Sequence, residues 1–153
     1  MDALVNLTGA AARVTGAHER LHDLIFRTST VPDIADPRVE SAMVERSAAH
    51  AEWRRARSAV DILMSDDVGL VNRMDEFERR RAANTLGWIR AYQTQGAQFV
   101  PATHASSQHS IWVAFGEDRR QLVTAAQQRV RNDLHILARL RASRAIGRQA
   151  TGA

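Results

Sequence analysis

The chain begins with a stripe of mostly apolar residues that recur at alternating spacings of three and four. Its members are Leu4, Leu7, Ala11, Val14, His18, Leu21 and Ile25. On an α-helix this spacing places all seven side chains on one face, which another helix has to cover. Such a beginning favours an all-helical fold, or a helical assembly, over any fold that contains a sheet.

Three further segments show the same spacing, and local signals mark where they start. Asp36-Pro37 predicts the start of a second helix, because an aspartate can cap the first turn and proline suits the first helical position. Ser65-Asp66-Asp67 ends that helix and starts a third, which is expected to reach about Tyr92. The connection between the two is so short that they must run antiparallel. A fourth helix is expected after an irregular stretch from Gly96 to Ser107.

No strand pattern competes with these segments. The predicted fold is therefore all-α, an antiparallel up-down-up-down four-helix bundle with long amphipathic helices. Residues 1–146 are expected to form a single domain, and 147–153 a disordered C-terminal tail.

Composition removes several classes of function. The chain contains no cysteine, which excludes disulfides, thiolate metal sites and cysteine nucleophiles. No apolar run approaches the ~20 residues of a membrane span, and the Met1-Asp2 start lacks the basic region of a secretory signal. A protein without a membrane span, located in the cytoplasm, is the resulting expectation.

One catalytic pattern is present, His18-Glu19-x-x-His22. Two histidines four residues apart on a helix can share a zinc ion, and Glu19 beside them can act as general base toward a zinc-bound water. The pattern resembles the motif of the zincin metalloproteases. Those enzymes also need a third ligand, for which His50, Glu45 or His135 is a candidate, and they place the motif helix beneath a β-sheet.

A structural interpretation of the same motif competes with the zinc site. His18 lies within the apolar stripe, where a histidine is more often a core or interface residue with one hydrogen bond, and Glu19 is then solvated. The main prediction is therefore that no cofactor is bound. Zinc held by His18 and His22, with Glu19 as the catalytic residue, is the alternative.

The positive charge is concentrated at the C-terminal end. All 21 basic residues are arginine, and residues 119–153 contain eight arginines against one aspartate, a net charge of +7. Arg139, Arg141, Arg144 and Arg148 are candidates for weak contact with nucleic acid or another polyanion. Because a helix C-terminus favours cations in any case, part of this pattern is ordinary helix design.

The spacing Arg129-x5-His135 resembles the Arg-x4–6-His motif of the helical nucleases called HEPN domains. That resemblance implies an RNase built on the basic C-terminal helix. The family usually has a polar residue two positions after the arginine, where this chain has Arg131.

The stripes exceed what a small monomer needs, which favours a non-enzymatic interaction or assembly module over an enzyme. It is expected to bind a protein partner, most simply as a homo-oligomer. The expected interface consists of Leu4, Leu7, Ala11, Val14, Leu21 and Ile25. Trp53, Trp88 and Trp112 fit either a core or an interface.

Overall fold

The computed structural model describes the backbone of residues 1–150 and the side chains of 1–83, 87–104 and 113–141. Residues 1–150 contain no β-strand, so the predicted all-α class is confirmed. The helices are α1 (Asp2–Phe26), α2 (Pro37–Met64), α3 (Val68–Asn84), α4 (Arg90–Gln95) and α5 (Ala105–Ala150). A π-helical turn, Thr85–Ile89, joins α3 to α4, and two 3₁₀ turns, Gly96–Gln98 and Pro101–Thr103, precede α5.

The capping signals read from the sequence are used. The Asp36 side chain accepts a hydrogen bond from the Arg38 backbone N–H at 2.9 Å, with Pro37 in the first helical position of α2. Asp67 Oδ1 accepts from the Leu70 backbone N–H at 3.0 Å at the start of α3. These two aspartates satisfy backbone donors that a helix start would otherwise leave without a partner.

Two features of the third segment differ from the expectation. The helix predicted to reach Tyr92 is interrupted at Gly87, whose ψ of −118° is not helical. The following α4 ends at Gly96, which adopts a φ of 55° that glycine tolerates without a steric penalty. The Tyr92 hydroxyl donates a 2.7 Å hydrogen bond to the Pro32 carbonyl and so joins α4 to the α1–α2 loop.

Polar side-chain contacts join each long helix to the next one along the chain. As the residue number rises along one helix, that of the contact on the neighbouring helix falls. Between α1 and α2, and between α2 and α3, they are Arg13–Glu52, Arg20–Glu45, Trp53–Glu78 and Arg57–Asp75. Between α3, its preceding turn and α5 they are Arg73–Gln121, Arg80–Asp118, Arg129–Asp66 and Arg129–Asp67.

The buried apolar side chains form two separate clusters. The larger one holds the first four turns of α1 together with residues such as Trp53, Phe77 and Phe115. The smaller one holds the end of α1 together with Trp88 and Tyr92. Trp53 and Trp88 are thus core residues, while the side chain of Trp112 lies outside the described part.

A layer of polar side chains, which we call the polar layer, separates the two clusters. It consists of His18, Arg46, His50, Glu78 and Arg81. His18 is fully buried and Arg46 is 8% exposed, which is unusual for both residue types. Buried polar groups require hydrogen-bond partners, so the members of this layer have to satisfy one another.

Candidate functional site

The polar layer is centred on two histidines from different helices. Nε2 of His18 on α1 lies 3.0 Å from Nε2 of His50 on α2, and the ring centroids are 5.2 Å apart. Phe115 of α5 packs against the His18 ring at 5.6 Å between centroids. His18 therefore occupies the core position that its place in the stripe predicts, with a histidine as its hydrogen-bond partner.

The neighbours of His50 determine the direction of this hydrogen bond. Arg81 Nη1 lies 3.1 Å from His50 Nδ1, and a guanidinium can only donate, so Nδ1 accepts. The proton of the neutral His50 ring is then on Nε2, from which it donates to Nε2 of His18. Both rings are neutral in this arrangement, and His18 carries its own proton on Nδ1.

Burial and positive charge keep the two rings neutral. Burial, followed by the charge of Arg46, lowers the pKa of His18 well below its usual 6.5. Burial, followed by the charges of Arg46 and Arg81, lowers the pKa of His50 to about 3. The pair is therefore deprotonated throughout the physiological pH range.

The network continues from Arg81 to a carboxylate. Arg81 pairs with Glu78, and the Trp53 indole Nε1 donates a 2.7 Å hydrogen bond to the same carboxylate. Principally because of its hydrogen bond from Arg81, the pKa of Glu78 is lowered, so it is ionised. The contacts from Glu78 through Arg81 and His50 to His18 span three helices. Each side chain in this series is a polar partner of the next.

The other two members of the zinc motif lie elsewhere. The His22 ring stacks on Phe26 at 4.5 Å and meets Trp88 edge-on at 6.0 Å, and Asp23 is 3.5 Å from its Nδ1. Glu19 is exposed. The two histidines of the motif thus have different neighbours, His18 facing α2 and His22 packing against aromatic rings.

Nothing in the described side chains completes a metal site around the motif. Among residues 1–83, 87–104 and 113–141, no three His, Asp or Glu side chains lie close enough together to hold a metal ion. The charges of Arg46 and Arg81 beside the His18–His50 pair also disfavour a divalent cation there.

Arg129 and His135, the pair of the nuclease-like spacing, have separate surroundings. Arg129 lies 3.7 Å from Asp66, 3.6 Å from Asp67 and 3.2 Å from Asp133, and so joins α5 to the α2–α3 turn. His135 is exposed on α5. The contacts of Arg129 are those of a structural ion pair between helices.

The α1 stripe faces the interior of the chain itself. Its apolar members are all between 0 and 2% exposed: Leu4, Leu7, Ala11, Val14, Leu21 and Ile25. Because helices of the same chain already cover these side chains, this stripe is the core face of α1 and offers no surface to a second molecule. The six residues expected to form an interface are therefore core residues of this structure, and the expectation of a protein partner stays a prediction.

Exposed apolar side chains occur on α5. From Arg131 to Arg141 every side chain except that of Asp133 is exposed, so this part of α5 lies outside the core. We call residues 131–150 the α5 extension, which as a helix is about 30 Å long. It displays four large apolar side chains that are 50 to 55% exposed: Leu134, Ile136, Leu137 and Leu140.

The arginines expected to contact polyanions lie on the same extension. Arg139 and Arg141 are exposed, while the side chains of Arg144 and Arg148 lie outside the described part. The helix itself continues to Ala150, through part of the tail that was expected to be disordered, and 151–153 are outside the described residues.

Sequence reasoning missed most of the polar layer. The sequence did hold one usable signal, because Arg46 lies at the same three-four spacing as the apolar residues Ala42 and Ala49 of α2. Glu78 and Arg81 stand in a charged run, Glu78-Arg79-Arg80-Arg81, that follows Asp75 and Glu76, and such a run is typical of a solvated salt-bridged face. In the structure Arg79 is exposed, whereas Arg80 contacts Asp118 and Arg81 contacts His50, and sequence spacing alone did not distinguish them.

Among the described residues, no helix has the length and apolarity needed to cross a lipid bilayer. Comparison with known proteins gives no further assignment: no family model, curated protein or solved structure matches this chain.

Proposed function

We propose that this chain is a non-enzymatic helical module that assembles with protein partners, first of all with a second copy of itself. The observation that carries the proposal is the α5 extension, with its half-exposed Leu134, Ile136, Leu137 and Leu140. Contiguous apolar side chains on a protein surface mark sites of interaction. Here four of them fall within seven residues of one helix.

The energetics of an unsupported helix favour the same conclusion. Helical segments gain most of their stability from packing an apolar face, and isolated helices are marginal in water. The α5 extension has no such packing over residues 131–141, whereas the preceding turns of α5 bury Phe115, Leu122 and Ala126. A partner that covers Leu134 and Leu137 would supply what the chain itself does not.

We further propose that the four long helices α1, α2, α3 and α5 form an up-down-up-down bundle from which the extension projects. The antiparallel polar contacts between successive helices support this arrangement. The His18–Phe115 contact supports closure of the bundle between α1 and α5. Short connections between consecutive helices are typical of such bundles.

Oligomeric state tests the proposed function directly. We expect the wild type to be a dimer or larger in light scattering, and a Leu134→Glu Leu137→Glu variant to be a folded species of smaller mass. The matched control is Val44→Glu Val113→Glu, because Val44 is 65% and Val113 56% exposed away from the extension. It should keep the wild-type mass. A wild type that is monomeric at high micromolar concentration contradicts the proposal.

Polyanion binding is the second candidate function, favoured by the exposure of Arg131, Arg139 and Arg141 on the extension. The extension has no aromatic side chain within 131–141 on which a base could stack, apart from the His135 ring. Binding of this kind would be electrostatic and independent of nucleic-acid sequence.

A further inference from the structure

A groove opens between α1 and α5 where the extension begins. It has a volume of about 340 Å³ and is lined by Leu4, Val5, Thr8, Ala126, Gln127, Val130 and Arg131. Val5 at its rim is 63% exposed. Val130 lies in the groove and is one turn before Leu134, so the groove and the apolar side chains of the extension form one continuous surface.

We propose that this surface receives the α5 extension of a second copy in antiparallel orientation, so that Leu137 and Leu140 of each copy occupy the groove of the other. The inference rests on the proposed self-association and adds to it the place and the direction of the contact. Two identical contacts related by a two-fold axis result, which is the commonest symmetry of a homodimer.

The size of the surface requires more than the extension. A stable interface buries roughly 800 Å² on each partner, and four half-exposed side chains on one helix supply only part of that. When each extension lies in the groove of the other copy, the exposed Val5 and the groove walls formed by α1 and α5 add to the buried area on both copies. Contact between two extensions alone would leave those groove walls in water.

Charge favours the antiparallel direction over the parallel one. The described part of the extension, 131–141, carries three arginines and one aspartate, a net charge of +2. At the end of the molecule from which it emerges, Asp2 is exposed, and Asp66, whose side chain is 76% exposed, lies 3.7 Å from Arg129 of the same chain. In an antiparallel dimer the basic extension passes Asp2 and Asp66 of its partner, whereas parallel extensions would place the arginines of both copies side by side.

Single cysteines test the orientation, because the chain has none of its own. Thr8→Cys marks the groove and Arg141→Cys marks the extension. We expect a short bismaleimide to cross-link an equimolar mixture of the two variants into a mixed dimer, and to cross-link neither variant with itself. Efficient self-linking of Arg141→Cys would demonstrate parallel extensions and overturn the proposal.

A charge placed at the groove rim provides the second test. Val5→Glu should weaken the dimer at least about tenfold, because the new carboxylate would be buried against Leu137 or Leu140 of the partner. Val44 on α2 has nearly the same exposure as Val5, so Val44→Glu is the control and should leave the affinity of the dimer unchanged. A dimeric wild type whose affinity is unchanged by Val5→Glu overturns the groove contact alone, whereas a monomeric wild type overturns the proposed function as well.

Discussion

Nε2 of His18 and Nε2 of His50 lie 3.0 Å apart, in the layer that separates the two apolar clusters. Two charged imidazoles could not occupy this arrangement, because both nitrogens would be donors. The burial of His18 and the nearby charges of Arg46 and Arg81 maintain the neutral state. Protonation of either ring therefore opposes folding.

We expect stability to decrease as the pH falls from 7 to 5. The pKa of His50 is about 3 in the folded chain and near 6.5 when unfolded, so the unfolded state binds more protons between these values and stability is fully present only above 6.5. The pH range from 7 to 5 lies above the usual carboxylate values. Melting temperatures should fall across it in the wild type and less in His18→Leu His50→Leu. The exposed His135→Gln is the control, and an equal fall in all three proteins would contradict the assignment.

The two histidines should be energetically coupled. His18→Leu removes the acceptor of the His50 Nε2–H, and a buried donor left without a partner costs about 1–3 kcal/mol. Adding His50→Leu removes that donor too, so the double variant should lose less than the sum of the single losses. Urea denaturation of the four proteins of this cycle measures the difference. Strict additivity would show that the 3.0 Å contact contributes nothing.

The apolar stripe of α1 should behave as a core. Leu7 is fully buried, so Leu7→Ala should lower the free energy of unfolding by about 2–5 kcal/mol. Glu19→Ala, on the exposed side of the same helix and outside the groove, should change it by less than about 0.5 kcal/mol. Leu7→Glu should prevent folding. If it instead gave a stable, well-folded protein of smaller mass, the stripe would be an interface between molecules.

Any polyanion binding should depend on the extension and on salt. Affinity should fall linearly with salt in a double-logarithmic plot, and Arg139→Gln Arg141→Gln should flatten the slope by about two. Arg54→Gln Arg55→Gln removes the same charge from exposed positions of α2 and is the matched control. An unchanged slope in the α5 variant, measured by fluorescence anisotropy with a single-stranded oligonucleotide, would exclude the extension as the binding surface.

The zinc hypothesis predicts bound metal that depends on His18 and His22. His18 is hydrogen-bonded to His50, and the His22 ring stacks on Phe26. We therefore expect elemental analysis of protein purified without chelator to give far less than one zinc per chain. Stoichiometric zinc in the wild type that is lost in His22→Ala would reverse this expectation. Glu19→Gln then separates catalysis from metal binding, since it should abolish hydrolysis while zinc stays bound.

Local signals predicted the helices well. The Asp36-Pro37 start and the Asp67 cap act within a few residues, so sequence alone reveals them. The break at Gly87 was not foreseen, because the apolar pattern continues across it to Trp88 and Tyr92. Those two side chains enter the smaller cluster only because the backbone changes direction there, and that direction is set by tertiary packing.

The partners of the candidate site depend on longer-range structure. The spacing of the α1 stripe identified His18 as its polar member. Its partner His50 is 32 positions away in the sequence, and the two rings meet only because α1 packs on α2. The exposed end of α5 had a visible signal, because its apolar repeat continues through Leu137. Whether that repeat is covered depends on where the other helices end, which spacing within one helix cannot show.

The polar layer also determines how the helices align. Stripes with a repeating spacing of three and four would pack almost equally well after α2 slides along α1 by one turn. Such a slipped alignment would move His50 from His18 to the neighbourhood of Val14 or Leu21, and its nitrogens and the Arg81 guanidinium would face hydrocarbon. An unsatisfied buried polar group costs far more free energy than the small differences between apolar contacts. The stable alignment is therefore the one in which the contacts from Glu78 through Arg81 and His50 to His18 are all made.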